Sequence, residues 1–143
     1  MEKLENITFY MIDKAIRTYR NYAQKRLREH GYKITIDQWL IIKAILEHPG
    51  ISQQELAAKA FKDNASVTRI IELLVKAKYL EREVNQADRR KSHLHVTDSG
   101  KLIIGKVQHL ILENRKVTLS GVSANELEIL NSALLKIIDN CQS

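Results

Sequence analysis

Residues 63–96 read DNASVTRIIELLVKAKYLEREVNQADRRKSHLHV. The first part carries Val67, Ile70, Ile71 and Leu74 at helical spacing behind Asp63, a carboxylate placed to cap a helix start. On the opposite side of that helix lie Asn64, Ser66, Thr68, Arg69 and Glu72. Leu80, Arg82 and Val84 then alternate, as do Leu94 and Val96, which is the pattern of two half-buried strands. Residues 85–91 join them, tipped by Arg89, Arg90 and Lys91. That is longer than a tight hairpin turn, and such a loop is tolerated when it acts outside the fold. A helix headed by small polar side chains fits a major groove. A basic tip beside it reaches phosphates or the minor groove. The stretch therefore reads as a helix and hairpin wing that meet DNA.

Immediately upstream, residues 51–61 read ISQQELAAKAF. Ser52 with Glu55 forms a capping box, and Leu56, Ala57 and Ala60 face inward from the short helix that follows. Two short helices joined by a tight polar connection are the signature of a helix-turn-helix. Before them, Thr35 with Gln38 opens a strongly apolar helix over 36–47, which His48-Pro49-Gly50 stops. Trp39 in that helix reads as core. Residues 3–29 carry two apolar stripes, Leu4, Ile7, Met11, Ala15 and Ile12, Ile16, Tyr19, Ala23, Leu27. Two stripes fit a helix that packs on its own domain and on a second chain; a single wide core face fits nearly as well. His30-Gly31 ends this helix, with Gly31 as a left-handed cap.

Downstream, Thr97 caps a helix running from Asp98 to about Arg115. After a break at 118–121, Ser123 with Glu126 opens the last helix. Its Leu127, Leu130, Leu134, Ile137 and Cys141 are spaced 3, 4, 3 and 4, a seam for helix–helix packing in which a buried Cys141 acts as a small hydrophobe.

Composition bounds the function classes. The 143 residues are 44% hydrophobic, which excludes disorder, and one Pro with 5 Gly favours long helices over a turn-rich β fold. The net charge is +6, and residues 59–101 hold 10 Lys/Arg against 6 Asp/Glu, so the excess sits around the helix-and-wing stretch. A single cysteine excludes an intrachain disulfide and points to a reducing cytoplasm. The longest apolar run, Trp39 to Ile42, falls far short of the ~20 residues that span a bilayer, and the acidic N-terminus does not read as a signal peptide. No nucleophile with a base, Gly-rich phosphate loop or zinc motif is present, so no enzyme, cofactor or metal is expected. His93 and His95 have ligand spacing on one strand face, but no third ligand is evident, and they read as outward-facing strand residues.

The order of elements and their local words together resemble the MarR family of transcriptional regulators, across essentially the whole chain. The sharpest words are Ala65-Ser66-Val67-Thr68-Arg69, Leu80-Glu81-Arg82, Asp88-Arg89-Arg90 and the L-x-V-T-x-x-G exit from Leu94 to Gly100. The resemblance implies a mostly α winged helix-turn-helix with a small β-hairpin wing and N- and C-terminal dimerisation helices. It implies one domain over 1–143, with dimerisation helices at 3–29 and 123–141, a winged core at 35–97 and a connecting helix at 98–116. It implies DNA contacts from Asn64, Ala65, Ser66, Thr68 and Arg69 in the major groove. Arg90 would enter the minor groove steadied by Asp88, with Arg89 and Lys91 on phosphates. The implied function is binding of palindromic double-stranded DNA by a homodimer that regulates transcription, as a repressor relieved by a small aromatic or anionic effector. Tyr10, Tyr19, Trp39 and His109 would line the effector pocket. The alternative is a winged-helix scaffold that binds protein without specific DNA binding.

The sequence departs from the family pattern twice. Lys78 stands where a Gly usually joins the recognition helix to the strand. Either a non-Gly residue takes a left-handed turn at a cost of roughly 1 kcal/mol, or the helix ends differently. The cysteine that the redox-sensing branch keeps in its first helix is absent.

Overall fold

Residues 1–84 and 92–143 are described by a computed structural model. Among them are six helices, α1 (Thr8–Glu29), α2 (Ile36–Glu47), α3 (Gln53–Ala60), α4 (Asn64–Lys76), α5 (Asp98–Thr118) and α6 (Ala124–Gln142). Strands β1 (Leu80–Val84) and β2 (Ser92–Val96) form one antiparallel pair, with Leu80 opposite Val96 and Arg82 opposite Leu94. The mostly α winged-helix architecture expected from the sequence is the one observed. The chain divides into two units, Met1–Leu112 and Glu113–Ser143.

Local chemistry starts α2, α3 and α6 where the sequence places them. Thr35, Ser52 and Ser123 each accept from the backbone N–H three residues on, and the side chains of Gln38, Glu55 and Glu126 answer to the cap's own N–H. Two orphan donors are satisfied at every such start. Helix α1 begins later than its apolar pattern: Leu4–Asn6 form a separate 3-10 turn, and Ile7 is extended with no side-chain cap. Helix α5 runs on to Thr118, whose hydroxyl donates to the Asn114 carbonyl at 2.6 Å. With no Gly or Pro between Gly105 and Gly121, nothing stops it sooner.

The core of the first unit is aliphatic. Ile41 and Ile42 of α2, Leu56 of α3, Val67 and Ile71 of α4, Leu80 of β1 and Val107 of α5 are fully buried. Each such side chain contributes roughly 1.5–3 kcal/mol of burial free energy. Trp39 packs partly buried against this cluster, as do Leu94, Ile70 and Val75. In the second unit, Leu127, Leu134 and Ile137 of α6 are half-buried, whereas Leu130 and Cys141 are exposed. The seam expected to bury Cys141 is therefore not fully covered within one chain.

Three helices close in the same way. At Gly31, Phe61 and Lys78 the backbone turns left-handed, with φ of 76°, 56° and 67°. In each case the next residue donates back across the turn, as Tyr32 N–H does to Leu27 O, Lys62 to Ala57 O and Tyr79 to Leu74 O, all at 3.0 Å. This paired closure satisfies carbonyls that the helix end leaves open, and glycine suits its left-handed position. Lys78 thus takes the first of the two routes the sequence left open. Replacing Lys78 by Gly is expected to raise stability by roughly 1 kcal/mol, read by urea or thermal unfolding, because the closure stays while the Cβ crowding goes. A loss of stability would mean that the lysine side chain compensates for its own backbone.

Candidate nucleic-acid interface

Helix α3 lies against α4 through Leu56, Ala57 and Ala60 on one side and Val67 and Ile71 on the other, all buried. The two alanines let the backbones come close. The pair is further tied by Gln53 Nε2, which donates to Thr68 Oγ1 at 2.6 Å, while that hydroxyl donates to Asn64 O at 2.9 Å. The Thr68 hydroxyl is thus engaged in fixing α4 on α3. Gln53 was not singled out from the sequence, because its tie spans two helices and leaves no periodic trace.

Asp63 starts α4 by accepting from Ser66 N–H at 2.7 Å. That backbone bond, then the Ser66 hydroxyl, holds the Asp63 carboxyl below its ordinary range. The group is therefore charged at neutral pH, where it also complements the helix dipole. Because its folded value is lowered, its stabilising effect is present above the ordinary carboxylate range and fades as pH falls through the folded value. Beyond the cap, Asn64, Ala65, Arg69 and Glu72 are exposed and Ser66 is half-buried. Arg69 forms no ion pair with Asp63, Glu72 or any other group among the described residues.

Lys62, one residue before the cap, is turned away from this edge. Its Nζ stands 3.3 Å from Asp37 Oδ2 at the start of α2, and Arg20 of α1 holds the other oxygen of the same carboxylate. One carboxylate so bridges cations from α1 and from the turn before α4. Gln24 of α1 adds a bond from Ile36 N–H at 3.1 Å.

The hairpin is anchored at its base. Thr97 N–H donates to Tyr79 O at 3.1 Å, and its hydroxyl donates to Lys78 O at 2.6 Å while accepting from Gly100 N–H at 3.0 Å. One threonine therefore connects the end of α4, the end of β2 and the start of α5. Arg82 of β1 is exposed. Asp88, Arg89, Arg90 and Lys91 lie outside the described residues. On the exposed side of the strands, His95 Nε2 is 3.4 Å from Glu81 and Nδ1 is 3.2 Å from Glu83, so the imidazole stands between two carboxylates of the facing strand. Among the described residues no three His, Cys, Asp or Glu side chains gather as a metal site.

Of the residues expected to line an effector pocket, Tyr10 and His109 are exposed and Tyr19 is half-buried. The indole Nε1 of Trp39 is buried with no acceptor among the described residues. An open groove of about 640 Å³ lies elsewhere, walled by Ile45, Leu46 and Pro49, by Leu94 and Val96, and by Ser99 at the start of α5. None of the four expected residues lines it.

A model of the MarR family matches residues 30–91, which take in α2, the α3–α4 pair and β1. Over that stretch the chain is similar to the MarR family. Solved structures match it along almost its whole length. Bordetella bronchiseptica BpsR, solved in a study of how 6-hydroxynicotinic acid regulates its DNA binding, is 20% identical over 97% of this chain and 98% of its own, with a TM-score of 0.85. MepR from S. aureus, solved with DNA, is 19% identical over 96% and 98%, with a TM-score of 0.80. PcaV from Streptomyces coelicolor, solved with its natural ligand, is 16% identical over 97% and 96%, also at 0.80. At these identities the likeness establishes the winged helix-turn-helix fold. No helix among the described residues is long and apolar enough to cross a membrane.

Proposed function

We propose that this chain binds palindromic double-stranded DNA as a homodimer and represses transcription until a small effector releases it. The observation that carries the reading is the division of α4. One face is locked into the core by Val67, Ile71 and Leu74, while Asn64, Ala65 and Arg69 stand exposed beyond the cap. Arg69 is left without an ion pair among the described residues. A rigid helix with an exposed, hydrogen-bonding leading edge is the arrangement that reads base edges. Ser66 and Thr68 would add their methylene and methyl surfaces to that edge. Arg90 would enter the minor groove with Asp88 steadying it, and Arg89 and Lys91 would meet phosphates. A protein-binding scaffold remains the rival reading, and it has no need of an unpaired arginine at this edge.

Two further features support a dimer. Within the first unit, Leu4, Phe9, Met11 and Ile16 are exposed; within the second, Ile129, Leu130, Leu135 and Ile138 are exposed. Large apolar side chains left open on helices of a single chain fit burial against a second copy. For the effector, the fitting chemistry is a small aromatic or anionic compound near Tyr10, Tyr19, Trp39 and His109, where the Trp39 Nε1 has no acceptor among the described residues. Such a compound would act by shifting the spacing of the two recognition helices, since both half-sites must be met together. An effector that leaves operator affinity unchanged at saturation would refute that mechanism. Cytoplasmic location follows from the same reading.

The test is selection of genomic fragments with purified protein, followed by salt titration on the best site. The expected outcome is one palindrome bound by a dimer, with log affinity falling by about 0.9 per phosphate contact for each tenfold rise in salt. Recovery of no DNA at low salt would favour the scaffold instead.

A further inference from the structure

We infer that Phe61 is an apolar DNA-contact residue, its ring seated against the sugar edge and thymine methyl groups of the operator. The inference rests on the DNA-binding reading above. Phe61 lies in the turn between α3 and α4, two residues before the Asp63 cap. It is 90% exposed and its backbone is left-handed at φ 56°. The backbone conformation is a cost in the free protein, and the exposed ring returns nothing to offset it. A phenyl ring in water gains nothing from burial, and a side chain with a Cβ is disfavoured at that φ, where glycine sits freely. The turn itself does not require the residue. Its closing bonds, Phe61 N–H to Ala58 O at 3.3 Å and Lys62 N–H to Ala57 O at 3.0 Å, are backbone bonds that glycine would make equally well.

A residue whose backbone is strained and whose ring is unburied in the free chain, beside the start of the proposed reading helix, is explained if its ring is covered on binding. The surroundings fit a nucleic acid. Exposed Lys59 precedes it on the last turn of α3, and exposed Asn64 and Ala65 follow the cap. A cation beside an apolar side chain suits a surface that alternates phosphates with deoxyribose faces and thymine methyls.

The experiment compares wild type with Phe61→Gly, Phe61→Asn and Phe61→Tyr, reading thermal midpoint and operator affinity on the full chain. Gly and Asn both accept the left-handed turn, so each is expected to raise the midpoint by roughly 2–6 °C. The same two variants are expected to bind operator roughly tenfold or more weakly, while Tyr stays near wild type in both respects. Stability rising as affinity falls is a signature that simple damage to the turn cannot produce. If Gly and Asn bind as tightly as wild type, the inference is overturned and the DNA-binding reading stands. If wild type itself binds no operator, that reading falls and takes the inference with it.

Discussion

Replacing Arg69 by Ala is expected to lower operator affinity by about 10- to 100-fold for each half-site, the worth of one well-placed bidentate contact. The fold should be indifferent. Arg69 is exposed, so truncation opens no cavity, and it leaves no described partner unpaired. Exposed substitutions of this kind change stability by less than about 0.5 kcal/mol. The variant therefore separates binding from folding without ambiguity. The pattern of loss also tells what Arg69 touches. A base contact would relax preference at one position of each half-site, whereas a phosphate contact would weaken all sequences alike and reduce the salt slope by about 1. Two-fold symmetry makes both half-sites lose the contact at once, so the measured effect belongs to the dimer. Unchanged affinity for a recovered operator would remove Arg69 from the reading edge. Unchanged affinity for a protein target, with no operator found, would support the scaffold.

The elements legible in the sequence are those whose causes are local. Thr35, Ser52 and Ser123 each stand three residues before an amide or carboxylate that can answer them, so their helix starts could be read from spacing alone. The inward face of α4 was legible for the same reason, as Val67, Ile71 and Leu74 follow its turn. What escaped is set by the meeting of distant segments. Thr68 looks like a base reader on a helical wheel, yet its hydroxyl is taken by Gln53, 15 residues away. Asp37 joins Arg20 and Lys62 across three elements, and no short word announces that. Phe61 closes α3 where a glycine would be the simple choice, so nothing in its identity marks a left-handed turn. Lys78 was flagged only because a resembling pattern carries Gly there. The wing's Asp88, Arg89, Arg90 and Lys91 rest on that resemblance still.

Gly100→Ala is the case where local and tertiary reasoning give opposite signs, and the tertiary one should win. Gly100 is the third residue of α5. Helix propensity alone would have alanine stabilise such a position by nearly 1 kcal/mol. The structure allows no room for it. A Cβ there would stand 2.4 Å from the Tyr79 carbonyl oxygen and 2.8 Å from Val96 Cγ1. The first of these atoms is backbone and cannot rotate aside. Nor can α5 slide away cheaply, because Gly100 N–H donates to Thr97 Oγ1 and Thr97 also holds Lys78 O and Tyr79 O. Moving the helix start would loosen the end of α4 and the base of the hairpin together. The expected result is a net loss of about 1–3 kcal/mol or more, as for other overpacked sites, seen as a lower unfolding midpoint at fixed protein concentration. Operator affinity should fall as well, since the threonine that α5 would drag is the one that sets the hairpin against α4. Stability equal to or above wild type would mean that the close approach of α5 to the Tyr79 carbonyl can relax at little cost, and that the glycine of the L-x-V-T-x-x-G word answers to something other than packing.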